Sequence, residues 1–290
     1  MTAGGAFGAG ALAEAQKHCA AEAREHARDQ WLGSLYAVPA ARDALLALAS
    51  FDYEIGQARF RARDPNLAAM RLAWWREVAR GERNDEAAGS PVALALSAAI
   101  DAFALPRDWL EAMIDARLQE MAPQDDFNLL AFEAYAGESE GARLRLGSRI
   151  AAGGHDLDEK YAHAPAGLAL ALVRMLSALP FAAGSAPTLF PVDVAARHGA
   201  SLQDFDARRA SAGVVAACAE IRALAREKLA EAERRLAASP REILPAFIPL
   251  GALKPDLDRL ERNGAQPFEP SREISALRRQ WAIWRWARRR

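Results

Sequence analysis

His18, Glu22 and His26 repeat at the spacing of a single helical face. Residues four apart stack on a helix, so such a run can close on a metal ion. No fourth ligand accompanies them, and their neighbours are alanine, arginine and lysine. The run is read as a solvated face. Two carboxylate pairs, Glu111/Asp115 and Glu227/Glu231, have the spacing to hold a divalent cation. The first flanks an apolar stripe of Ile114, Leu118 and Met121, and the second sits among arginine and lysine. Both pairs are read as surface residues. Asp156, Asp158 and Glu159 open a helical segment, where acids complement the helix dipole. Cys19 and Cys218 stand far apart with no CxxC, as free thiols of a reducing compartment do. There is no Ser–His–Asp or Cys–His order and no glycine-rich phosphate loop. Spacing therefore assigns no catalytic, cofactor-binding or metal residue.

Two aromatic clusters carry more information. RLAWWRE, Arg71 to Glu77, sets two tryptophans about 100° apart on a helix. Core packing explains them; the alternative is that Trp74 or Trp75 lines a large apolar pocket with Arg71 at its mouth. The C-terminal LRRQWAIWRWARRR puts Leu277, Trp281 and Trp284 on one stripe. Arg278, Arg279, Arg285 and the terminal arginines crowd around it. Tryptophan beside arginine at a chain end suits a membrane interface or an anionic partner; the plainer reading is a final helix covering the core. LALALVRMLSALPF, Leu168 to Phe181, has Arg174 as its one charge. Its apolar run falls short of the ~20 residues a membrane span needs, so it is read as a buried helix.

The elements that must position these residues are helical throughout. The chain has 290 residues, 51% hydrophobic and 26% charged, with a formal net charge of −1. That is an ordinary globular balance, and it argues against nucleic acid, which needs a basic footprint. The N-terminus lacks the basic and apolar regions of a signal peptide. It is read as a flexible tail over 1–11, ahead of a single helical domain over 12–290. Helical period predicts segments over 12–29, from Pro39, from Pro65 to Gly81, from Pro91, from Pro106, near Asp126, over 156–179 and over 213–237. ERNDEAAGS is expected to be a loop, the proline-rich stretch after Ser239 to be broken, and a last helix to start near Pro270.

Five segments in order then resemble the squalene and phytoene synthase family. They are Leu35-Tyr36-Ala37, LASFDYEIGQAR, RLAWWREVARGE, FEAYAGESEGARLRL and LFPVDVAARHG. The resemblance spans about Trp31 to Phe268 and implies an all-α isoprenoid synthase fold, a helical bundle around a central cavity for prenyl chains. Active members of the family carry two aspartate-rich helices whose acids clamp Mg²⁺ beside the departing diphosphate. Aligned on Phe51, the first set of places holds Gly56, Gln57 and Phe60, with Asp52 and Glu54 a turn earlier. The second set falls near Ala178 and Ala182, and Ser177 stands where the family has arginine. Both halves of the clamp are replaced together.

AAMRLAWWR and LRRQW resemble the family's non-catalytic branch, which is complex I assembly factor-like. The resemblance thus implies a degenerate synthase without cofactor, acting as a respiratory complex I assembly protein or a membrane-associated scaffold that binds lipid. Its implied partners are a respiratory complex or its assembly intermediates, a lipid or isoprenoid ligand, and a membrane touched peripherally. Its expected place is the cytoplasm, at the inner membrane face. Tyr53, Glu54, Arg71, Trp74, Trp75 and Arg174 are the expected pocket residues, with Arg71 and Arg174 meeting an anionic head group. Arg278, Arg279, Trp281, Trp284 and Arg285 are the expected membrane or partner surface. The alternative is an active prenyl-diphosphate transferase, using farnesyl or geranylgeranyl diphosphate and Mg²⁺ held by Asp52, Glu54 and Glu120.

Overall fold

The computed structural model describes residues 8–61, 64–121, 126–155, 162–181 and 189–290, and every regular element among them is helical. In chain order these are α1 (Ala9–His26), α2 (Arg28–Ser34), α3 (Pro39–Arg61), α4 (Pro65–Arg80), α5 (Asn84–Ala87), α6 (Pro91–Phe103) and α7 (Arg107–Gln119). There follow α8 (Leu129–Ala136), a π-helical turn (Gly137–Gly141), α9 (Ala142–Ala151), α10 (His163–Ala178), α11 (Val192–Arg197), α12 (Leu202–Asp206) and α13 (Ala212–Ala237). The chain closes with α14 (Leu244–Phe247), α15 (Leu253–Arg262) and α16 (Ala276–Ala287).

Local chemistry sets these boundaries. Asp64 accepts a hydrogen bond from the Asn66 amide, Pro65 occupies the first turn of α4, and Gly81 ends it at φ 77°. Ser90 and Pro91 open α6 in the same way. Ser201 and Asp204 cap each other's backbone at the start of α12. Three boundaries differ from the sequence expectation. The first helix starts at Ala9 and breaks at Ala27, and α2 resumes at once. The polar stretch after Gly81 contains the single turn α5. The last helix starts at Ala276, because the Ser275 side chain caps it. Asp156, Asp158, Glu159 and Ala182 lie outside the described residues, as do residues 1–7 of the expected tail.

The chain divides into two compact units. Unit 1 comprises residues 1–117, 143–159 and 240–249; unit 2 comprises 118–142, 160–239 and 250–290. In unit 1, α3 is central and packs against α1, α2, α4 and α6. Small residues make up much of both helices' buried faces: α1 buries Ala15, Cys19 and Ala23, and α3 buries Ala44, Ala47 and Ala58, with Ser50 Oγ donating to the Cys19 carbonyl at 3.2 Å across the contact. Phe51 and Trp75 fill the space between α3 and α4, with ring centroids 5.3 Å apart, edge to face. Burial pushes the Cys19 thiol up to about 12, and in unit 2 it does the same to Cys218. Both thiols are inert as nucleophiles.

In unit 2, α10 is central and packs against α8, α13, α15 and the π-turn. It meets the π-turn backbone to backbone: a Cβ on Gly167 would lie 2.7 Å from the Gly141 amide nitrogen. The segment His163–Phe181 is long and apolar enough to cross a bilayer by length and composition, yet 61% of that window is buried inside the protein. Pro165 to Ala169, Ala171 to Val173 and Leu176 make it a packed helix. Helix α16 rests on Ile283 and Ala287. Gly251 permits that approach, since a Cβ there would lie 2.8 Å from Ile283 Cα.

Candidate functional site

Unit 1 gathers its chemistry-bearing residues where α3 meets α1 and α4. Asp52 accepts a hydrogen bond from Arg117 Nη2 at 2.8 Å and lies 3.6 Å from Arg143 Nε. Both arginines are buried. Glu54, also buried, accepts from Arg61 Nη1 at 2.6 Å and from Arg71 Nη2 at 2.5 Å. Burial would raise the Glu54 carboxyl, but the hydrogen bonds and charges of the two arginines prevail and hold it below its ordinary value. The places aligned with the first acidic motif contain no acid, and one faces a cation: a Cβ on Gly56 would lie 3.9 Å from Arg117 Nε. Phe60 of the same set points to solvent.

Tyr53 stacks on His26 with ring centroids 4.4 Å apart, and the Arg61 guanidinium lies 5.5 Å from the Tyr53 ring centroid. The His18–Glu22–His26 face is therefore only partly solvated. His18 and His26 are both exposed, His26 with one face stacked on Tyr53, and Glu22 turns toward α3. Burial raises the Glu22 carboxyl; the Ser50 hydrogen bond opposes this and the nearby Glu54 charge adds to it. One Glu22 oxygen, Oε2, is buried without a hydrogen-bond partner. Trp75 is a core residue whose indole N–H likewise has no partner, while Trp74 is half-buried against it.

Unit 2 has its own cluster. Arg174 pairs with Glu140 at 3.1 Å and Glu120 at 3.7 Å, and it donates to the Tyr135 hydroxyl oxygen. That hydroxyl donates to Glu120 at 2.6 Å. Glu120, Tyr135 and Glu140 are all buried. The π-turn holds Glu140, and such turns redirect side chains from the regular helical register. The one charge in the apolar stretch is thus balanced within its own unit. Arg71, paired with Glu54, is likewise balanced by an acid of its own unit. On α10, Ala178 is exposed and Ser177 accepts from Arg259 Nη2 at 3.1 Å.

The structure therefore brings Tyr53, Glu54, Arg71, Trp74 and Trp75 together in unit 1, whereas Arg174 belongs to unit 2. Sequence reading missed Arg61, Arg117, Arg143, Tyr135 and Glu140. Arg61 is seven residues from Glu54, one helical face along, and was findable; the others are paired across 15 to 91 positions of sequence. The remaining acid pairs are ion-paired. Arg76 and Arg80 of α4 bind Asp115 and Glu111 of α7 rung by rung, the latter at 2.6 Å. Lys228 lies 3.4 Å from both Glu227 and Glu231. On α16, Arg279 is held by Asp256 at 3.0 and 2.9 Å, an internal pair rather than part of the outer surface. Trp281 and Trp284 are exposed, with Arg285 stacked on Trp281.

Among the described residues no three histidine, cysteine or acidic side chains converge as metal ligands. Asp52 and Glu54 already spend their oxygens on guanidinium groups, and Glu120 on a phenol and a guanidinium. Mg²⁺, the metal the resemblance would call for, does not fit these donors. The arrangement buries these carboxylates against guanidinium groups rather than a metal ion. Each arginine pairs with a carboxylate at hydrogen-bond distance or close to it.

The Squalene/phytoene synthase family model matches residues 23–285. The chain is 26% identical over 254 residues to "NADH dehydrogenase (ubiquinone) complex I, assembly factor 6" of Mus musculus, covering 88% of this chain and 76% of that protein. The Homo sapiens protein of that name matches with the same identity and coverage. Among solved structures, squalene synthase HpnC from Alicyclobacillus acidocaldarius superposes with a TM-score of 0.72 at 20% identity, covering 89% of this chain and 97% of that one. A dehydrosqualene synthase crystallised with a ligand gives 0.76 at 12% identity, covering 96% and 97%. These likenesses show the isoprenoid synthase fold, and with the family match extending over nearly all its residues the chain belongs to the squalene/phytoene synthase family.

Proposed function

We propose that this chain is a non-catalytic member of its family that serves in the assembly of a respiratory complex of the complex I type. The observation that carries the reading is the pairing of Asp52 and Glu54 with four arginines, Arg117, Arg143, Arg61 and Arg71. A diphosphate leaves with dense negative charge, and its departure needs mobile or metal-borne positive charge aimed at it. Guanidinium groups already committed to internal carboxylates do not supply that. The likeness to relatives named as complex I assembly factors supports the assembly role. The proposed place of action is the cytoplasmic face of the membrane in which such a complex is built, and a lipid or isoprenoid ligand belongs to the same proposal. Arg71 and Arg174 enter it as structural ion-pair partners rather than as head-group ligands.

Deleting the gene and resolving membrane complexes on native gels tests this reading. The expected result is accumulation of complex I sub-assemblies, reversed by the intact gene. Complex I that assembles normally without the protein contradicts it.

A further inference from the structure

We infer that the outer face of α16 is an adsorption surface for a bilayer rich in anionic phospholipid. The inference stands on this helix alone and is independent of the assembly role. The helix has two faces. Ile283 and Ala287 are buried, Arg279 is tied to Asp256, and Trp286 donates through Nε1 to Glu233 at 2.7 Å. These contacts fix the inner face to unit 2. The outer face presents Leu277, 80% exposed, with Trp281 and Trp284 at 54% and 46%. The three lie one turn apart in succession, so they form a ridge along the helix.

Cations flank that ridge. From Leu277 to Arg290 the chain carries six arginines and no acid, although the whole molecule has a formal net charge of −1. Arg279 and Arg290 are paired with Asp256 and Glu233, which leaves Arg278, Arg285, Arg288 and Arg289 exposed beside the ridge. Arg285 and Arg288 lie over the rings of Trp281 and Trp284, 4.4 and 4.9 Å from the ring centroids. Such stacking holds guanidinium charge at the level of the indole, where phosphate sits when tryptophan occupies the membrane interface. Arg278 also lines a cleft of about 700 Å³ at the start of the helix, where Arg259, Arg262 and Arg272 outnumber its one acid, Glu273, and Arg259 lies 3.7 Å from Asp256. Among the described residues no carboxylate pairs with Arg262, Arg272 or Arg278.

Charge and area both select the occupant. A stable protein partner buries about 800 Å² on each side, more than one ridge of three side chains offers. Adsorption to a bilayer needs only a few interfacial aromatics and a local excess of cations, each strengthening partitioning to an anionic surface about fivefold. The complementary surface is therefore a sheet of lipid phosphates.

Co-sedimentation of the full chain with vesicles tests the inference. One set holds phosphatidylglycerol and phosphatidylcholine in equal parts; the other is pure phosphatidylcholine. The expected result is binding to the first set, at least tenfold weaker binding to the second, and release by added salt. Arg285→Glu with Arg288→Glu should weaken binding more than tenfold, and Trp281→Ala with Trp284→Ala should also weaken it. All four side chains are exposed, so the melting temperature should not move. Lys17→Glu with Arg28→Glu makes the same change in net charge on α1 and α2, and should leave binding intact. Equal binding to both vesicle sets, no binding to either, or equal loss in the Lys17/Arg28 variant would overturn the inference. So would loss of a co-purifying protein, rather than of vesicle binding, in the Trp281/Trp284 variant.

Discussion

Glu22 and Glu54 act on each other across the contact between α1 and α3, with opposite consequences. Glu54 is held below its ordinary value of 4.5 against the pull of burial, by Arg61 and Arg71. Its contribution to stability is present above pH 4.5 and is lost as pH falls through the lowered folded-state value. Glu22 is raised, by burial first and then by Glu54, with Ser50 opposing. Its favourable state is the protonated one, present below pH 4.5 and lost as pH rises through the raised value. Glu54→Gln should therefore cost about 1–2 kcal/mol at pH 7, since Arg61 and Arg71 are partly solvated, and the cost should vanish in acid. Glu22→Gln should raise the melting temperature at pH 7 and leave it unchanged below pH 4.5. Thermal melts of both variants from pH 3 to 8 check the two signs. Little of this was legible beforehand. The residue types near Phe51 and the missing acids at 56, 57 and 60 could be read directly, but partner choice could not. Asp52 finds Arg117 and Arg143 only when the helices are in register, and no spacing rule encodes that.

At the scale of elements, the helices announced themselves where side chains satisfy helix ends. Asp64-Pro65 with Gly81, Ser90-Pro91 and the Ser211 cap put α4, α6 and α13 close to their expected bounds. The Ala27 break has no proline or glycine to mark it, and the register switch at Gly137–Gly141 is set by tertiary contact. There α10 crosses close enough that only glycine fits at 167. Gly167→Ala should cost about 1–3 kcal/mol through overpacking against Gly141. Gly137→Ala meets nothing within 4 Å and should be neutral or slightly stabilising, because alanine is the better helix former. Urea titration of the two variants distinguishes this account from a general intolerance of side chains in the turn. Arg174 illustrates the same limit. In sequence it is an isolated charge, while in space it has two buried acids and a tyrosine.

At the scale of the molecule, an isoprenoid synthase fold carries carboxylates that are paired with arginine. Asp52 and Glu54 are paired with arginine, α10 is packed with alanine and leucine, and arginines gather on the C-terminal helix, which carries no acid. The family and its all-α architecture were legible in the order of five segments, because fold-level packing does not depend on the identity of a few site residues. The most direct test is release of inorganic diphosphate from farnesyl or geranylgeranyl diphosphate with Mg²⁺. The rate with protein should equal the rate without it at every Mg²⁺ concentration. Diphosphate release that rises with Mg²⁺ and disappears in an Asp52→Asn, Glu54→Gln variant would contradict the account.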